Sequence, residues 1–256
     1  MIARVEAPAK LTLSLRVTGV RDDGYHLIDA EMVSLDICDI VTITPSESSS
    51  LAMTGSRASG ISIGPDNLVM RALSLAEATA QVVVEKNIPA GGGLGGGSTD
   101  AAAILRWAKF HDLARAATIG ADVPFCVVGG RAHVTGIGEV VDVLPFEPRE
   151  VTLIIPPLHV STPAVYRMWD EMGGPRSDTG NDLEPAAIAT EPQLAQWKKR
   201  IADVCGITPI LAGSGATWFV HGHHDSLNTA NNDVLANATV LFTSTRQDAG
   251  SVSVEP

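Results

Sequence analysis

A glycine-rich run at residues 91–99 is the part of the chain whose composition points most directly to chemistry. A loop that opens a helix gathers unpaired N–H donors at the positive end of the helix dipole, and phosphate groups bind there. The run lacks the Gly-Lys-Ser/Thr ending of a Walker loop and the GxGxxG pattern of dinucleotide sites. Its position between a short strand and a helix favours a phosphate site over the alternative, a flexible linker.

The elements that would position this loop follow from the hydrophobic pattern. Apolar alternation and clusters of β-branched residues predict strands at residues 11–17, 32–35, 40–44 and 82–85. We predict a helix at 67–80 with Asp66 as its cap, and an alanine-rich helix at 101–107 that the glycine loop opens. The first part of the chain is therefore expected to be an antiparallel sheet with helices.

A proline-rich stretch at 145–148 marks the predicted domain boundary, which gives one domain at 1–146 and another at 147–256. The second half predicts strands at 151–155, 210–211, 217–220 and 239–243, and helices at 163–172, 182–189, 192–204 and 225–236. The tail at 246–256 is expected to be unanchored and flexible.

Composition excludes several classes of partner. The 256-residue chain carries a net charge of −11, so its surface as a whole repels nucleic acid and anionic membranes. Three widely spaced cysteines argue for reduced cytosolic thiols rather than disulfides or a structural zinc site. Neither a leader segment nor a long apolar run is evident. We expect a cytoplasmic protein, a monomer or weak homodimer, whose partner is a small molecule.

Histidines close to one another at His221, His223 and His224 raise the question of a metal. Histidines in a glycine-containing turn are more often exposed than metal-bound, so we assign no metal ligand there.

Several segments in chain order resemble a known superfamily. Ala7-Pro8-Ala9-Lys10, the glycine loop, Ile119-Gly120-Ala121-Asp122-Val123-Pro124-Phe125 and Leu211-Ala212-Gly213-Ser214-Gly215-Ala216-Thr217 are similar to motifs of the GHMP kinases, named for galactokinase, homoserine kinase, mevalonate kinase and phosphomevalonate kinase. With Asp23-Gly24-Tyr25-His26 and Gly180-Asn181-Asp182-Leu183-Glu184 added, the set resembles the 4-diphosphocytidyl-2-C-methyl-D-erythritol kinase family within that superfamily.

This resemblance implies a fold and an activity. The fold would be α+β with two domains, an N-terminal ribosomal-protein-S5-like α/β domain and a C-terminal ferredoxin-like α/β domain, and the active site would lie in the cleft. The activity would be ATP-dependent phosphorylation of the 2-hydroxyl of a cytidine-diphosphate sugar alcohol in non-mevalonate isoprenoid synthesis. A divalent ion, Mg²⁺, is expected with ATP because phosphoryl transfer needs its charge neutralised.

The resemblance also implies roles for matching residues. Asp122 would take or orient the proton of the acceptor hydroxyl, with Lys10 as the cation beside it, and Asn67 would contact the adenine. Ser98 or Thr99 would offer a hydroxyl to the metal. The predicted ATP-phosphate residues are Pro89, Ala90, Gly91, Gly92, Gly93, Leu94, Gly95, Gly96, Gly97, Ser98 and Thr99. The predicted substrate residues, with a tyrosine on each side of the cytosine and an imidazole at its edge, are Thr12, Tyr25, His26, Tyr166, Gly213 and Ser214.

Plainer roles and other functions stay open at this point. Asp122 could merely cap a helix, Lys10 could be a solvated strand lysine, and Tyr166 could be a buried helix residue. Thr12 stands where the family usually has asparagine, which leaves open another kinase of the superfamily with a different acceptor. Short connections at 80–82 and 107–119 leave open a non-catalytic nucleotide-binding relative, which the presence of both Lys10 and Asp122 opposes.

Overall fold

The structure is a computed structural model, which describes residues 1–228 and 233–255. The strands of its first half are β1 (Ile2–Val20), β2 (His26–Pro45), β3 (Ser50–Thr54), β4 (Ala80–Glu85), β5 (Arg131–Gly136) and β6 (Val140–Val143). β1 and β2 form a long antiparallel pair, and β2 also pairs with β4 and β5 along its other edge. β3 and β6 pair with β4 and β5 respectively and extend the sheet.

Helices cover one face of this sheet. They are α1 (Leu68–Leu75), α2 (Gly96–Trp107), α3 (Leu113–Ala117) and α4 (Val123–Val128). α2 is the central one, because its residues 99–105 are all buried. Its alanines allow a close approach to alternate side chains of β1, such as Ala3 and Val5, which belong to the same core. The alanine-rich composition of this segment is thus explained by tight packing.

The second half is a smaller antiparallel sheet with helices. Its elements are β7 (Glu150–Ile155), α5 (Thr162–Glu171), α6 (Glu184–Thr190), α7 (Gln193–Cys205), β8 (Ile210–Leu211), β9 (Trp218–His221) and β10 (Thr239–Arg246). The strand order is β10-β7-β9-β8. Val165 and Trp169 of α5, Ile201 of α7 and Trp218 of β9 share one core.

The two halves are joined through β1 and β2. β10 pairs with β2 at Leu35 and Ser34, which makes the two sheets continuous. A third core cluster contains side chains of both halves, including Leu11 of β1 and Phe219 of β9. The domain boundary predicted near residue 146 stays a prediction. Among the helices of residues 1–228 and 233–255, none combines the length and apolar character needed to cross a membrane.

The first predicted helix differs from the observed one at both ends. Asn67, not Asp66, is the N-cap of α1, since its side chain accepts a hydrogen bond from the N–H of Val69 at 2.8 Å. The helix ends at Leu75 rather than at residue 80, because the chain turns at Glu77, whose φ is 52°. Ala80 then begins β4.

The helix predicted at 225–236 is wrong over the described residues. The chain instead forms short 3-10 turns at Asp225–Leu227 and Asp233–Leu235, and residues 229–232 lie outside the described part. Aspartate and asparagine are frequent in this segment and favour turns over helix interiors, which the hydrophobic pattern alone did not take into account.

The prediction of an unanchored tail is also wrong. β11 (Val252–Glu255) pairs antiparallel with the start of β1, from Ile2 to Val5. The carbonyl of Gly250 accepts a hydrogen bond from Arg106 at 2.7 Å, which fixes the chain before the strand. The tail is held because β1 has a free edge there, and a tail sequence cannot reveal such an edge. Pro256 lies outside the described residues.

Candidate active site

A cleft of about 660 Å³ opens between the two halves of the molecule. β1 and the glycine loop form one side, and α5 with the turn after β8 forms the other. The cleft brings together many of the residues predicted from sequence, namely Lys10, Thr12, Tyr25, His26, Gly93, Gly95, Ser98, Asp122, Tyr166, Gly213 and Ser214.

Lys10 lies near the middle of β1 and is only 5% exposed. Its Nζ lies 3.1 Å from Oδ2 of Asp122 and donates a hydrogen bond to Oγ1 of Thr12 over 3.1 Å. The backbone N–H of Lys10 donates to the carbonyl of Leu94, which joins β1 to the glycine loop. Lys10 is therefore not the solvated strand lysine considered above, and its ammonium group is held at one place in the cleft.

Asp122 directly precedes α4, yet its side chain makes no capping hydrogen bond to that helix. The carboxylate pairs with Lys10 instead and keeps 33% of its side-chain surface exposed. The alternative that Asp122 is only a helix cap is therefore wrong. An exposed carboxylate with free lone pairs can accept the proton of a bound hydroxyl group.

The glycine run divides into a loop and the first turn of a helix, because α2 already begins at Gly96. Gly95 has a φ of 72°, and a Cβ at this position would lie 2.6 Å from Cγ of Lys10. At Gly93, with a φ of 75°, a Cβ would lie 3.0 Å from the carbonyl oxygen of Gly215. The loop is thus packed between β1 and the turn after β8. The N-cap residue of α2 is Gly95, which has no side chain to cap the helix, so the first N–H groups of α2 can bind an anion.

A second cavity of about 210 Å³ lies along the glycine loop. It is lined by the whole loop from Pro89 to Gly97, together with Asn67, Lys86 and Asp100. The Asn67 amide is used for local structure, since Nδ2 donates to the carbonyl of Ser62 at 2.6 Å and Oδ1 caps α1. Asn67 therefore borders the loop, and its predicted contact with adenine stays a prediction.

A cluster of three buried charged residues lies next to the glycine loop. Nζ of Lys86 donates to Oδ2 of Asp39 on β2 and, at 2.6 Å, to Oδ2 of Asp100 on α2. All three residues are at most 3% exposed. Burial acts against charge on Lys86, but the two carboxylates outweigh it and raise its pKa. Burial also acts against charge on Asp100, and for a carboxyl group this raises the pKa. Lys86 opposes the increase, whereas the neighbouring Asp39 adds to it. No motif in the sequence had indicated this cluster.

Aromatic residues form the opposite end of the cleft. Tyr25 is 59% exposed in the turn before β2, and His26 follows it as the first residue of the strand. The ring of Tyr166 lies 4.6 Å from that of His26, centroid to centroid. Burial raises the pKa of Tyr166, and the charge of Asp122 adds to the shift. The predicted Tyr25, His26 and Tyr166 thus lie together in the cleft, and Tyr166 is partly buried against the core of the second half.

Two residues of α5 belong to this end of the cleft and were not predicted. Arg167 and Asp170 both line it, and Oδ1 of Asp170 lies 2.8 Å from Nε2 of His26. Asp170 stands four positions after Tyr166, so both lie on one face of the helix. The spacing of Tyr166 and Asp170 is visible in the sequence. It indicates a shared site only when α5 is known to lie opposite β2.

The turn containing Gly213 and Ser214 is held from both sides. Nδ2 of Asn181 donates to the carbonyls of Leu211 and Gly213, at 2.7 Å each. Oγ of Ser214 is 2.7 Å from Oγ1 of Thr162, which links the turn to the start of α5. The turn therefore presents Gly213 and Ser214 to the cleft in a fixed position.

The two candidate metal hydroxyls differ in position. Ser98 lines the cleft with Asp122, whereas Thr99 is fully buried and its Oγ1 has no hydrogen-bond partner among the described residues. A hydroxyl beside a phosphate loop suits Mg²⁺, which is commonly held by few protein oxygens together with phosphates and water. Among the histidines, His223 pairs with Asp225 and His224 contacts the carbonyl of His221.

The fold and this cleft define a GHMP kinase. The family model described as the GHMP kinases N terminal domain matches residues 67–130, which contain both the glycine loop and Asp122. A solved structure of a 4-(cytidine 5'-diphospho)-2C-methyl-D-erythritol kinase is 29% identical, with a TM-score of 0.73, and the match covers 94% of this chain and 98% of that one. The predicted two-domain α+β fold class is confirmed.

Proteins of similar sequence identify the family within the GHMP kinases. A 4-diphosphocytidyl-2-C-methyl-D-erythritol kinase from Paracoccus denitrificans is 40% identical, over 84% of this chain and 85% of its own length. One from Ruegeria pomeroyi is 38% identical, over 83% of this chain and 86% of its own. The chain belongs to the 4-diphosphocytidyl-2-C-methyl-D-erythritol kinase family, as the motifs predicted.

Proposed function

We propose that this protein transfers the γ-phosphoryl group of ATP to the 2-hydroxyl of 4-diphosphocytidyl-2-C-methyl-D-erythritol, a step of non-mevalonate isoprenoid synthesis. The observation that carries the proposal is the pair of Lys10 and Asp122, whose charged atoms lie 3.1 Å apart. The pair lies in the cleft between the glycine loop and the aromatic end. Groups that can bind phosphate, remove a proton and recognise a base thus line one cleft.

Each of the two residues has a separate part in the reaction. The acceptor oxygen forms a bond to the γ-phosphorus while the bond from that phosphorus to the β–γ bridging oxygen breaks. Asp122 accepts the proton of the hydroxyl, and the ammonium group of Lys10 stabilises the negative charge on the phosphoryl oxygens. The products are ADP and the 2-phosphate of the substrate.

The ATP phosphates lie on residues 89–99, where the N–H groups at the start of α2 bind them. The adenine lies on the side of Asn67, along the second cavity. Mg²⁺, when bound, neutralises charge on the β- and γ-phosphates. Ser98 is the hydroxyl that would hold it, because Ser98 lines the cleft whereas Thr99 is buried.

The cytidine end of the substrate lies between Tyr25 and Tyr166, with His26 at the edge of the base. Tyr25 offers an exposed ring that can stack on cytosine, and aromatic stacking is a general means of binding a base. Thr12, Gly213 and Ser214 line the cleft and would contact the rest of the substrate.

We further propose that the enzyme is cytoplasmic and that it is a monomer or weak homodimer. Sedimentation would test the oligomeric state.

The test is ADP release from ATP and Mg²⁺ in the presence of the cytidylyl substrate, measured beside homoserine, mevalonate and galactose. Turnover confined to the cytidylyl compound is the expected result. Turnover with another of the alcohols would keep the kinase but remove the cytosine pocket. ATP binding without turnover of any of them would indicate a non-catalytic relative.

A further inference from the structure

The backbone of the glycine loop changes the sign of φ from one residue to the next. φ is 74° at Gly91, 75° at Gly93 and 72° at Gly95, and it is not positive at the residues between them. Such alternation turns successive N–H groups toward one side and forms a concave anion site. In the described part of the chain, no backbone carbonyl accepts a hydrogen bond from the N–H groups of residues 91–95. The loop therefore offers backbone donors from its first glycine onward.

A third cavity, of about 360 Å³, lies between this loop and the second half of the molecule. Gly91 and Gly93 line it on the loop side, and residues 159–163 with Gly215 line it on the other side. Gly93 also lines the cleft and the second cavity, so the three spaces adjoin at the loop.

His159 carries the imidazole of this third cavity and lies beside the start of the loop. A Cβ on Gly91 would lie 3.6 Å from Nδ1 of His159. The segment that carries His159 is anchored on both sides, because Ile155 at the end of β7 and Val160 are buried in core clusters. The His159 side chain is exposed, and within residues 1–228 and 233–255 it has no hydrogen-bond, ion-pair or ring partner. Its N–H is therefore available to a ligand on the loop.

The lysines next to the loop already have anionic partners. Nζ of Lys10 lies 3.1 Å from Asp122, and Nζ of Lys86 is held between two buried carboxylates. A triphosphate on the loop brings several negative charges, which further donors would stabilise. His159 is a donor beside the loop that no carboxylate of the described residues engages.

We propose that His159 is a nucleotide-binding residue, whose imidazole donates a hydrogen bond to a non-transferred phosphate of ATP. This inference rests on the proposed function, since it places the triphosphate on the glycine loop. Gly95 packs against Lys10, at the end of the loop where the γ-phosphoryl group is transferred, whereas His159 lies beside Gly91 at the other end. The imidazole therefore binds the diphosphate part that ADP retains, and the second half of the molecule holds the nucleotide as well as the acceptor.

The test measures steady-state kinetics of His159→Ala, with ADP and adenosine as inhibitors competing with ATP. We expect KM for ATP and the inhibition constant of ADP to rise together by about tenfold, because one hydrogen bond to a charged group is lost from both. The inhibition constant of adenosine, which has no phosphate, should stay within about twofold. kcat and KM for the cytidylyl substrate should also stay within about twofold, since the contact is equal in the ground state and the transition state.

Two further variants separate a lost donor from a disturbed loop. His159→Asn keeps an N–H donor close to the position of Nδ1, so KM for ATP should stay within about threefold of the wild type. His111→Ala is the matched control, because His111 is an exposed histidine before α3 that lines none of the three cavities. It should leave all of these constants unchanged.

An unchanged inhibition constant of ADP in His159→Ala would overturn the inference while leaving the proposed function intact, provided that the wild type phosphorylates the cytidylyl substrate. An equal loss of affinity for adenosine and ADP would also overturn it, since the loop would then be disturbed as a whole. The same holds if His159→Asn is as weak as His159→Ala. A wild type that neither binds ADP nor phosphorylates the substrate would instead refute the proposed function.

Discussion

Lys10 and Asp122 form one ion pair, yet their surroundings differ. Lys10 is buried and donates a hydrogen bond to Thr12, whereas Asp122 keeps a third of its side-chain surface exposed in the cleft. A base has to meet its substrate, while an ammonium group that stabilises developing charge is most effective when it is already in place. The difference in exposure therefore matches the different parts proposed for the two residues.

Replacing the proposed base should separate catalysis from nucleotide binding. We expect Asp122→Asn to lower kcat by about 10²- to 10⁴-fold, because no group then takes the hydroxyl proton. The dissociation constant of ATP, measured by titration calorimetry, should stay within about twofold, since the phosphates bind to the loop. The control is Asp142→Asn, an exposed aspartate of β6. Full turnover in Asp122→Asn would remove this residue from the mechanism.

At the scale of elements, the glycine loop is a packed structure rather than a flexible segment. We expect Gly95→Ala to raise KM for ATP at least about tenfold, because the new Cβ would meet Cγ of Lys10 at 2.6 Å and the φ of 72° disfavours a side chain. Steady-state kinetics with ATP varied would measure this. Gly19→Ala is the matched control, since its Cβ would lie 3.7 Å from the nearest atom, Cδ1 of Leu27. Equal KM values for both variants would contradict the packed loop.

The cluster of Lys86, Asp39 and Asp100 ties β2 to the start of α2. We expect Lys86→Met to lower the free energy of unfolding by about 3–5 kcal/mol, because two carboxylates would remain buried without a cation. Adding Asp39→Asn and Asp100→Asn should recover much of that loss, since no charge is then left unpaired. Urea unfolding would measure both, with Lys199→Met, at a side chain that is 76% exposed, as the control. A Lys86→Met protein as stable as the control would show that the cluster does not support the loop.

The elements near the site were largely predictable because they depend on local patterns. The strand predicted at 151–155 and the helix predicted at 163–172 lie within a residue of β7 and α5. The partners of the site residues were not predictable. His26 and Asp170 are 144 positions apart, and Lys86 and Asp39 are 47 apart, so their contacts arise only from tertiary packing. Lys10 and Asp122 were identified because their motifs occur as a set.

At the scale of the whole molecule, the cleft depends on how the two halves are held together. Asp182, which is fully buried, accepts hydrogen bonds from Arg16 at 2.7 Å and from the N–H of Val17 at 3.2 Å, both on β1. It also pairs with Arg176 at 2.8 Å. The segment before α6 is thereby fixed to β1 a short distance beyond Lys10 and Thr12. A carboxylate that connects the halves in this way links the shape of the cleft to overall stability.

The pH dependence of unfolding should report this carboxylate. Burial alone raises the pKa of Asp182, but hydrogen bonds from Arg16 and from the backbones of Ser177 and Val17 outweigh it and lower the pKa overall. The folded protein then holds fewer protons on Asp182 than the unfolded chain does. Its stabilising contribution is therefore complete above about pH 4 and is lost as the pH falls through the lowered pKa of the folded state.

Asp182→Asn should accordingly lower the free energy of unfolding by at least about 2 kcal/mol at pH 7, because the charge-assisted hydrogen bonds are lost. The difference from the wild type should shrink as the pH falls below about 4, where the wild-type carboxylate takes up its proton. Urea unfolding across this range would measure the difference. Asp178→Asn, an exposed aspartate in the same segment, should show neither effect. A difference that stays constant from pH 7 to acid would mean that Asp182 contributes through its shape and not through its charge.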